Sequence, residues 1–222
     1  MKDITMMDPQ GVSAKFNLET YLEARKVAKR ITLLFAAQCD VGITEAEGFH
    51  LLDELFAAQG VEKKWHPHKF RIGSDTTKVF RDKSDTSLKL ADNDIYFIDI
   101  GPVVNGHEAD YAQTFTVGQN AEYSKIQRHS KIIFDECANY WRENKPSGSE
   151  LYAFADERAK HYGYILKNQE GGHRLGDFPH ALFYKGRLSN FEKVPVDNLW
   201  VLEIHLNNQE ETFGAFYEDI LT

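Results

Sequence analysis

Acidic side chains interrupt the most apolar runs of this 222-residue chain. Asp99 lies in Ile-Asp-Ile-Gly, Glu203 in Leu-Glu-Ile-His and Glu218 in Tyr-Glu-Asp-Ile, all inside segments that read as strands. Burying an isolated charge in such a segment is very costly unless something compensates it. Asp110 in Glu-Ala-Asp-Tyr and His173 in Gly-Gly-His-Arg complete a set of four carboxylates and one imidazole. Carboxylates in apolar strands call for a cation, and the added imidazole favours a transition metal over calcium. The fold is therefore expected to gather these strands around a dinuclear metal site.

The surrounding elements read as α+β. Phe16 to Gln38 is expected to be a helix, with Leu18, Leu22, Val27, Ile31, Leu34 and Phe35 as its apolar stripe. Thr44 and Glu47 form a capping box opening a second helix that closes near Gln59 and Gly60. Val61 to Ala91 is polar and reads as irregular, with turns at His66-Pro67-His68 and Ile72-Gly73-Ser74-Asp75. Ile95 to Ile100 is a strand, Asn105-Gly106 a hairpin signal, and Tyr111 to Val117 the returning strand. Glu122 to Asn144 is a long helix stopped before Pro146; Ser147 and Glu150 cap another running to about Tyr162. A short strand over Gly163 to Asn168, a Gly-rich loop carrying His173, Asp177 and His180, and strands over Leu199–Leu206 and Phe213–Leu221 complete the chain. This order predicts an antiparallel sheet with helices on one side, in a single domain over 1–222 whose first 15 residues are loosely ordered.

The hairpin makes a geometric prediction. With a two-residue turn at Asn105-Gly106, Asp110 faces Gly101, and Asp99, two residues away, shares its side of the sheet. The two carboxylates are then diagonal neighbours, roughly 7–8 Å apart at the backbone. One more loop residue would reverse the parity. Metals held roughly 3.5–4 Å apart between such groups can clamp both a hydroxide nucleophile and a developing oxyanion.

The net charge of −8 argues against general nucleic-acid binding. The basic run from Lys63 to Arg71 is too local to reverse that and reads as a solvated loop. No apolar stretch is long enough to span a bilayer, and the N-terminal segment lacks the apolar core of a signal peptide. Cys39 and Cys137 show neither redox nor metal-finger spacing. The cytoplasm is the expected location.

These motifs resemble the pita-bread metallopeptidases: methionine aminopeptidase, aminopeptidase P and prolidase, together with the metal-free creatinase. Ile98-Asp99-Ile100-Gly101 resembles the first ligand strand, and Gly106 to Phe115 the second. Gly172-His173-Arg174-Leu175-Gly176 resembles the Gly-His-x-x-Gly segment; Leu202-Glu203 and Glu218-Asp219 resemble the last ligand sites. The resemblance implies a curved antiparallel sheet with helices on its outer face and two divalent ions, of manganese, cobalt, zinc or iron. By analogy Asp99 would hold one ion, His173 and Glu203 the other, with Asp110 and Glu218 bridging. Glu203 would also shuttle a proton, and His180 would stabilise a tetrahedral intermediate. A homodimer is a family-level expectation, and the chain is expected to be a stand-alone catalytic domain that departs from aminopeptidase P and prolidase in lacking their separate N-terminal domain.

The chain also departs from the pattern. The family has a substrate-contacting histidine upstream of the first Asp ligand; Val79-Phe80-Arg81-Asp82 supplies none, and His66 and His68 read as surface-loop residues too far upstream to replace it. Ala181-Leu182-Phe183 stands where the family often has Glu-x-Pro after His180. Three functions follow. The first is a metal-dependent exopeptidase removing N-terminal residues, with aminopeptidase P or prolidase activity favoured over methionine removal. The second is an inactive binding module on the same fold, and the third a hydrolase of a non-peptide amide.

Overall fold

A computed structural model describes residues 8–61, 63–167 and 171–222. The chain runs through α1 (Leu18–Gln38), α2 (Glu45–Ala58), β1 (Lys63–Lys64), β2 (Lys69–Ile72), β3 (Asp94–Ile100), β4 (Pro102–Val104), β5 (His107–Glu108) and β6 (Tyr111–Val117). It continues through α3 (Ala121–Asn144), α4 (Gly148–His161), β7 (Ile165–Leu166), β8 (His173–Arg174), β9 (Trp200–Asn207) and β10 (Gly214–Ile220). The expected short strand at 163–168 is reduced to β7; Asn168 lies outside the described residues.

Local signals account for the helix starts. Asn17 caps α1 by accepting the Thr20 N–H at 2.9 Å. Both expected capping boxes form, at Thr44 with Glu47 and at Ser147 with Glu150. The buried face of α1 departs from the predicted stripe. Leu18 is 46% exposed, whereas Tyr21 and Ala24 turn inward ahead of Ile31 and Phe35. Tyr21 can be buried because its hydroxyl donates to the Asn198 carbonyl at 2.6 Å.

Seven strands form the main sheet, six in the order β2-β3-β6-β10-β9-β7 and β8 paired to β9 off this path, and every pairing is antiparallel. β1, β4 and β5 form a smaller sheet. Asn105 and Gly106 both take positive φ, +48° and +75°, as a two-residue hairpin turn requires. The register set there continues through the long ladder: Val104 pairs with His107, Ile100 with Tyr111 and Asp99 with Ala112. The predicted parity holds.

That register lays out the site. Asp99 pairs with Ala112, Ala112 with Glu218, and Glu218 with Glu203, so three carboxylates lie in one transverse row across β3, β6, β10 and β9. The neighbouring row runs Phe97, Thr114, Phe216, with Phe216 paired to His205. Residues of alternate parity, including Ile98, Ile100, Leu202, Ile204 and Tyr217, enter the main hydrophobic core. α1 packs against β4, β5 and β6, and α3 against β9 and β10. One face of the sheet is thus core and the other is left for chemistry.

Val61 to Ala91 does not stay irregular. β2 pairs with β3 from Lys69 opposite Asp99 to Ile72 opposite Tyr96, and a 3-10 turn follows at Gly73–Thr77. Phe70 and Ile72 join the core, while the guanidinium of Arg71, 1% exposed, donates to the Val79 and Asp82 carbonyls. With both terminal guanidinium nitrogens bonded and Nε alone left without an acceptor among the described residues, Arg71 can be buried, so the basic run conceals a sheet strand rather than a solvated loop. Of the N-terminal segment, 1–7 lie outside the described residues; Ser13 donates to both oxygens of Asp177, and the Gln10 side-chain oxygen accepts from Trp200 Nε1 at 2.9 Å. No helix among the described residues is long and apolar enough to cross a membrane.

Candidate metal centre

The five metal ligands expected from the sequence, Asp99, Asp110, His173, Glu203 and Glu218, all line one cavity of about 360 Å³, whereas His180, the sixth expected site residue, is not among its lining residues. Asp110 lies just beyond the carboxylate row, where β6 begins, and is 3% exposed. Its Oδ2 is 2.8 Å from His173 Nε2, which is 3.8 Å from Glu203 Oε1. The other Glu203 oxygen accepts the Gly172 N–H at 3.0 Å. Gly172 takes φ +64°, and a Cβ there would fall 2.5 Å from the Val201 carbonyl, so only glycine lets this loop approach β9.

Protein charges alone leave this cluster in tension. Burial, followed by the charges of Asp110 and Asp99, pushes the Glu218 carboxyl well above the usual carboxylate range. Burial would also raise Asp110, but His66, His173 and a hydrogen bond from Glu218 hold it well below that range. Burial disfavours a charged His173, yet Asp110 and Glu203 outweigh it and push its pKa up to about 9. Glu218 Oε1 is buried without a hydrogen-bond partner among the described residues. An orphaned carboxylate oxygen among three further buried carboxylates is what a cation would satisfy, so the donor set fits divalent metal.

Two neighbours escaped the sequence reading. His66 is 7% exposed rather than a surface-loop residue. Its Nε2 lies 3.3 Å from Asp110 Oδ1 and 3.5 Å from Asp99 Oδ1. Burial would lower its pKa, but the two aspartates push it up to about 9. His68 is buried as well, but faces away from the cluster, with its ring against Phe56 and Nε2 3.1 Å from Asp53. The second neighbour is Glu108, 1% exposed, whose carboxylate accepts the His180 backbone N–H at 3.1 Å and bonds His180 Nδ1 at 2.7 Å. Period-two alternation places Glu108 on the same side as Asp110, a signal legible in advance.

Trp65 joins these parts. Its ring meets the edges or faces of His66, His173 and His180 at centroid distances of 4.3, 5.1 and 5.0 Å. Its Nε1 donates to the Ala109 carbonyl at 2.9 Å. The apolar part of the cavity is made by Phe97 and Phe216 beside His205. His205 Nε2 donates to the Thr76 carbonyl at 2.8 Å, and burial pushes its pKa down to about 4. Lys78, Arg81, Lys185 and Arg187 also line the cavity, the last three exposed. The site therefore combines an acidic floor with a basic rim.

The sequence pattern of metallopeptidase family M24 matches residues 19–222. Among curated proteins no match is found. Among solved structures, the X-Pro aminopeptidase of Thermotoga maritima MSB8 superposes with TM-score 0.74 at 20% identity, covering 92% of this chain and 60% of that one. The prolidase of Pyrococcus horikoshii OT3 gives 0.76 at 20% identity, covering 94% and 59%. A methionine aminopeptidase of Thermotoga maritima gives 0.75 at 14% identity, covering 96% and 94%. The chain thus spans about 60% of the length of the first two and nearly all of the third. At such identities the likeness establishes the fold: the pita-bread arrangement expected from the motifs.

Proposed function

Because the chain belongs to metallopeptidase family M24, we propose that it is a two-metal exopeptidase removing the N-terminal residue of peptides, with Xaa-Pro peptides as its preferred class. The carrying observation is the carboxylate row of Asp99, Glu218 and Glu203, joined by Asp110 and His173 and containing the orphaned Glu218 Oε1. Asp99 would hold one ion and His173 with Glu203 the other, while Asp110 and Glu218 would bridge. Bound there, divalent ions supply an activated water and polarise the scissile carbonyl. Manganese, cobalt, zinc and iron all suit this donor set.

The chain's own groups take the remaining tasks. Glu203, with one oxygen anchored on Gly172, would carry a proton toward the leaving amine. His180 is held through Nδ1 by Glu108, which leaves its other ring nitrogen for the oxygen of a tetrahedral intermediate. Phe97 and Phe216 offer an apolar wall for a substrate side chain, and the rim of Arg81, Lys185 and Arg187 suits the carboxylate of a short peptide. Free Cys39 and Cys137 are compatible with a reducing compartment such as the cytoplasm.

The test is mass spectrometry of a peptide library incubated with the protein and added manganese, beside an Asp110→Ala control. Loss of single N-terminal residues, absent from the control, is expected. Intact peptides in protein shown to hold metal would sink the peptidase reading in favour of a binding role or a non-peptide amide.

A further inference from the structure

His66 mirrors His173 across one carboxylate. Asp110 presents Oδ1 to His66 Nε2 at 3.3 Å and Oδ2 to His173 Nε2 at 2.8 Å. Each imidazole is oriented the same way from behind: His66 Nδ1 donates to the Pro67 carbonyl at 2.8 Å, and His173 Nδ1 to the Arg174 carbonyl at 2.8 Å. A backbone carbonyl can only accept, so it fixes each neutral ring with its Nε2 lone pair facing the carboxylates. A lone pair facing carboxylate oxygens is repulsive unless a proton or a cation stands between them. This pattern, Nδ1 tied to a backbone carbonyl and Nε2 aimed at acidic ligands, is that of a metal-ligating histidine.

We infer that His66 is itself a metal ligand, adding a second imidazole on the Asp99 side of the centre; the inference rests on the metallopeptidase reading of this site. His66 Nε2 and one oxygen each of Asp99 and Asp110 lie within 4.8 Å of one another, all three residues buried. The separations of 3.3 and 3.5 Å are those of ligands sharing one ion, since bonds of about 2.0–2.2 Å at a tetrahedral angle set donors about 3.3–3.6 Å apart.

The hairpin is built to admit this ring. A Cβ on Gly101 would fall 2.2 Å from His66 Cδ2 and 2.5 Å from Trp65 Nε1. Glycine at the end of the Asp99 strand thus provides the seat. The Trp65 ring, edge-on to His66, shields the opposite side. With one imidazole on each half, the centre is softer than a set of four carboxylates and one histidine, which favours zinc, cobalt or iron over manganese.

The test is cobalt(II) binding to the full chain after chelator treatment, followed by calorimetry, elemental analysis and X-ray absorption counting of imidazole ligands. The wild type is expected to bind two ions carrying two imidazoles in total. His66→Gln should weaken one of the two ions by more than the roughly 10–100-fold that loss of an outer partner costs, and drop one imidazole from the count. Gly101→Ala, which displaces the ring without deleting it, should weaken the same ion, and it decides the matter if His66→Gln does not fold. Folded His66→Gln that binds both ions with unchanged affinity and imidazole count would overturn the inference while leaving the site reading intact. A wild type that binds no cobalt, as an Asp110→Asn control is expected to behave, would overturn both.

Discussion

Glu203 and Glu218 stand directly opposite one another in the β9–β10 ladder, both buried. Like charges at a cross-strand pair destabilise a sheet, and burial removes the water that would screen them. Glu218→Gln removes the demand for a counter-ion without changing shape. In chelator the variant should therefore be at least as stable as the wild type. In saturating metal the wild type gains about 2.7 kcal/mol at a hundredfold excess over Kd, and the variant should lose most of that gain. Thermal melts with and without metal decide this; a variant several degrees less stable in chelator would show that Glu218 stabilises the sheet by itself.

The histidines set the pH dependence of chelator-treated protein. His66 and His173 both have pKa values raised from 6.5 to about 9. The folded state therefore binds more protons than the unfolded one between these values. Their contribution is complete below pH 6.5 and is lost as pH rises through about 9. Urea midpoints should fall across this window. Saturating metal should flatten the fall, because ligating imidazoles are already deprotonated. A midpoint that climbs across the window in chelator would contradict the protein-charge account.

His180, whose ring stacks 5.4 Å from that of His173, is proposed to act on substrate rather than to hold metal. His180→Gln should reduce kcat by about 10²–10³-fold, the usual cost of one oxyanion donor, with metal content unchanged. Glu108 holds His180 by two hydrogen bonds. Glu108→Gln should cost less, about tenfold, because the ring keeps its place but loses the carboxylate that orients it. Loss of metal in step with activity in either variant would reassign the pair to the centre itself.

The basic rim should be read out by substrate charge. Arg81, Lys185 and Arg187 are exposed at the cavity, so each contributes only what screened surface pairs deliver. Amidating the C-terminus of a tripeptide substrate should lower kcat/KM about two- to fivefold. Arg187→Glu should shrink the difference, and so should high salt. Equal rates for acid and amide would remove the rim from substrate recognition.

Much of the centre was legible because its determinants are local. Asn105 and Gly106 specify a two-residue turn by their tolerance of positive φ, and that turn alone sets which residues of β3 and β6 share a face. Asp99 and Asp110 could therefore be brought together on paper. Thr44 with Glu47, and Ser147 with Glu150, likewise act over a single helical turn.

His66 was not legible in this way. It lies far from the carboxylates in sequence, in a segment whose lysines, histidines and single proline carry no strand period. Its place depends on β2 pairing with β3, on the absence of a side chain at Gly101 and on a buried Arg71 whose terminal nitrogens reach distant carbonyls. The face of α1 shifted for the same kind of reason, since the Tyr21 hydroxyl finds its partner at Asn198. The sequence by itself determined the α+β class, the hairpin parity and five of the converging polar residues, because turns, caps and period-two alternation are nearest-neighbour effects. Only the tertiary structure decided which imidazoles face the carboxylates and what rims the cavity, because those depend on contacts between segments that no local preference specifies.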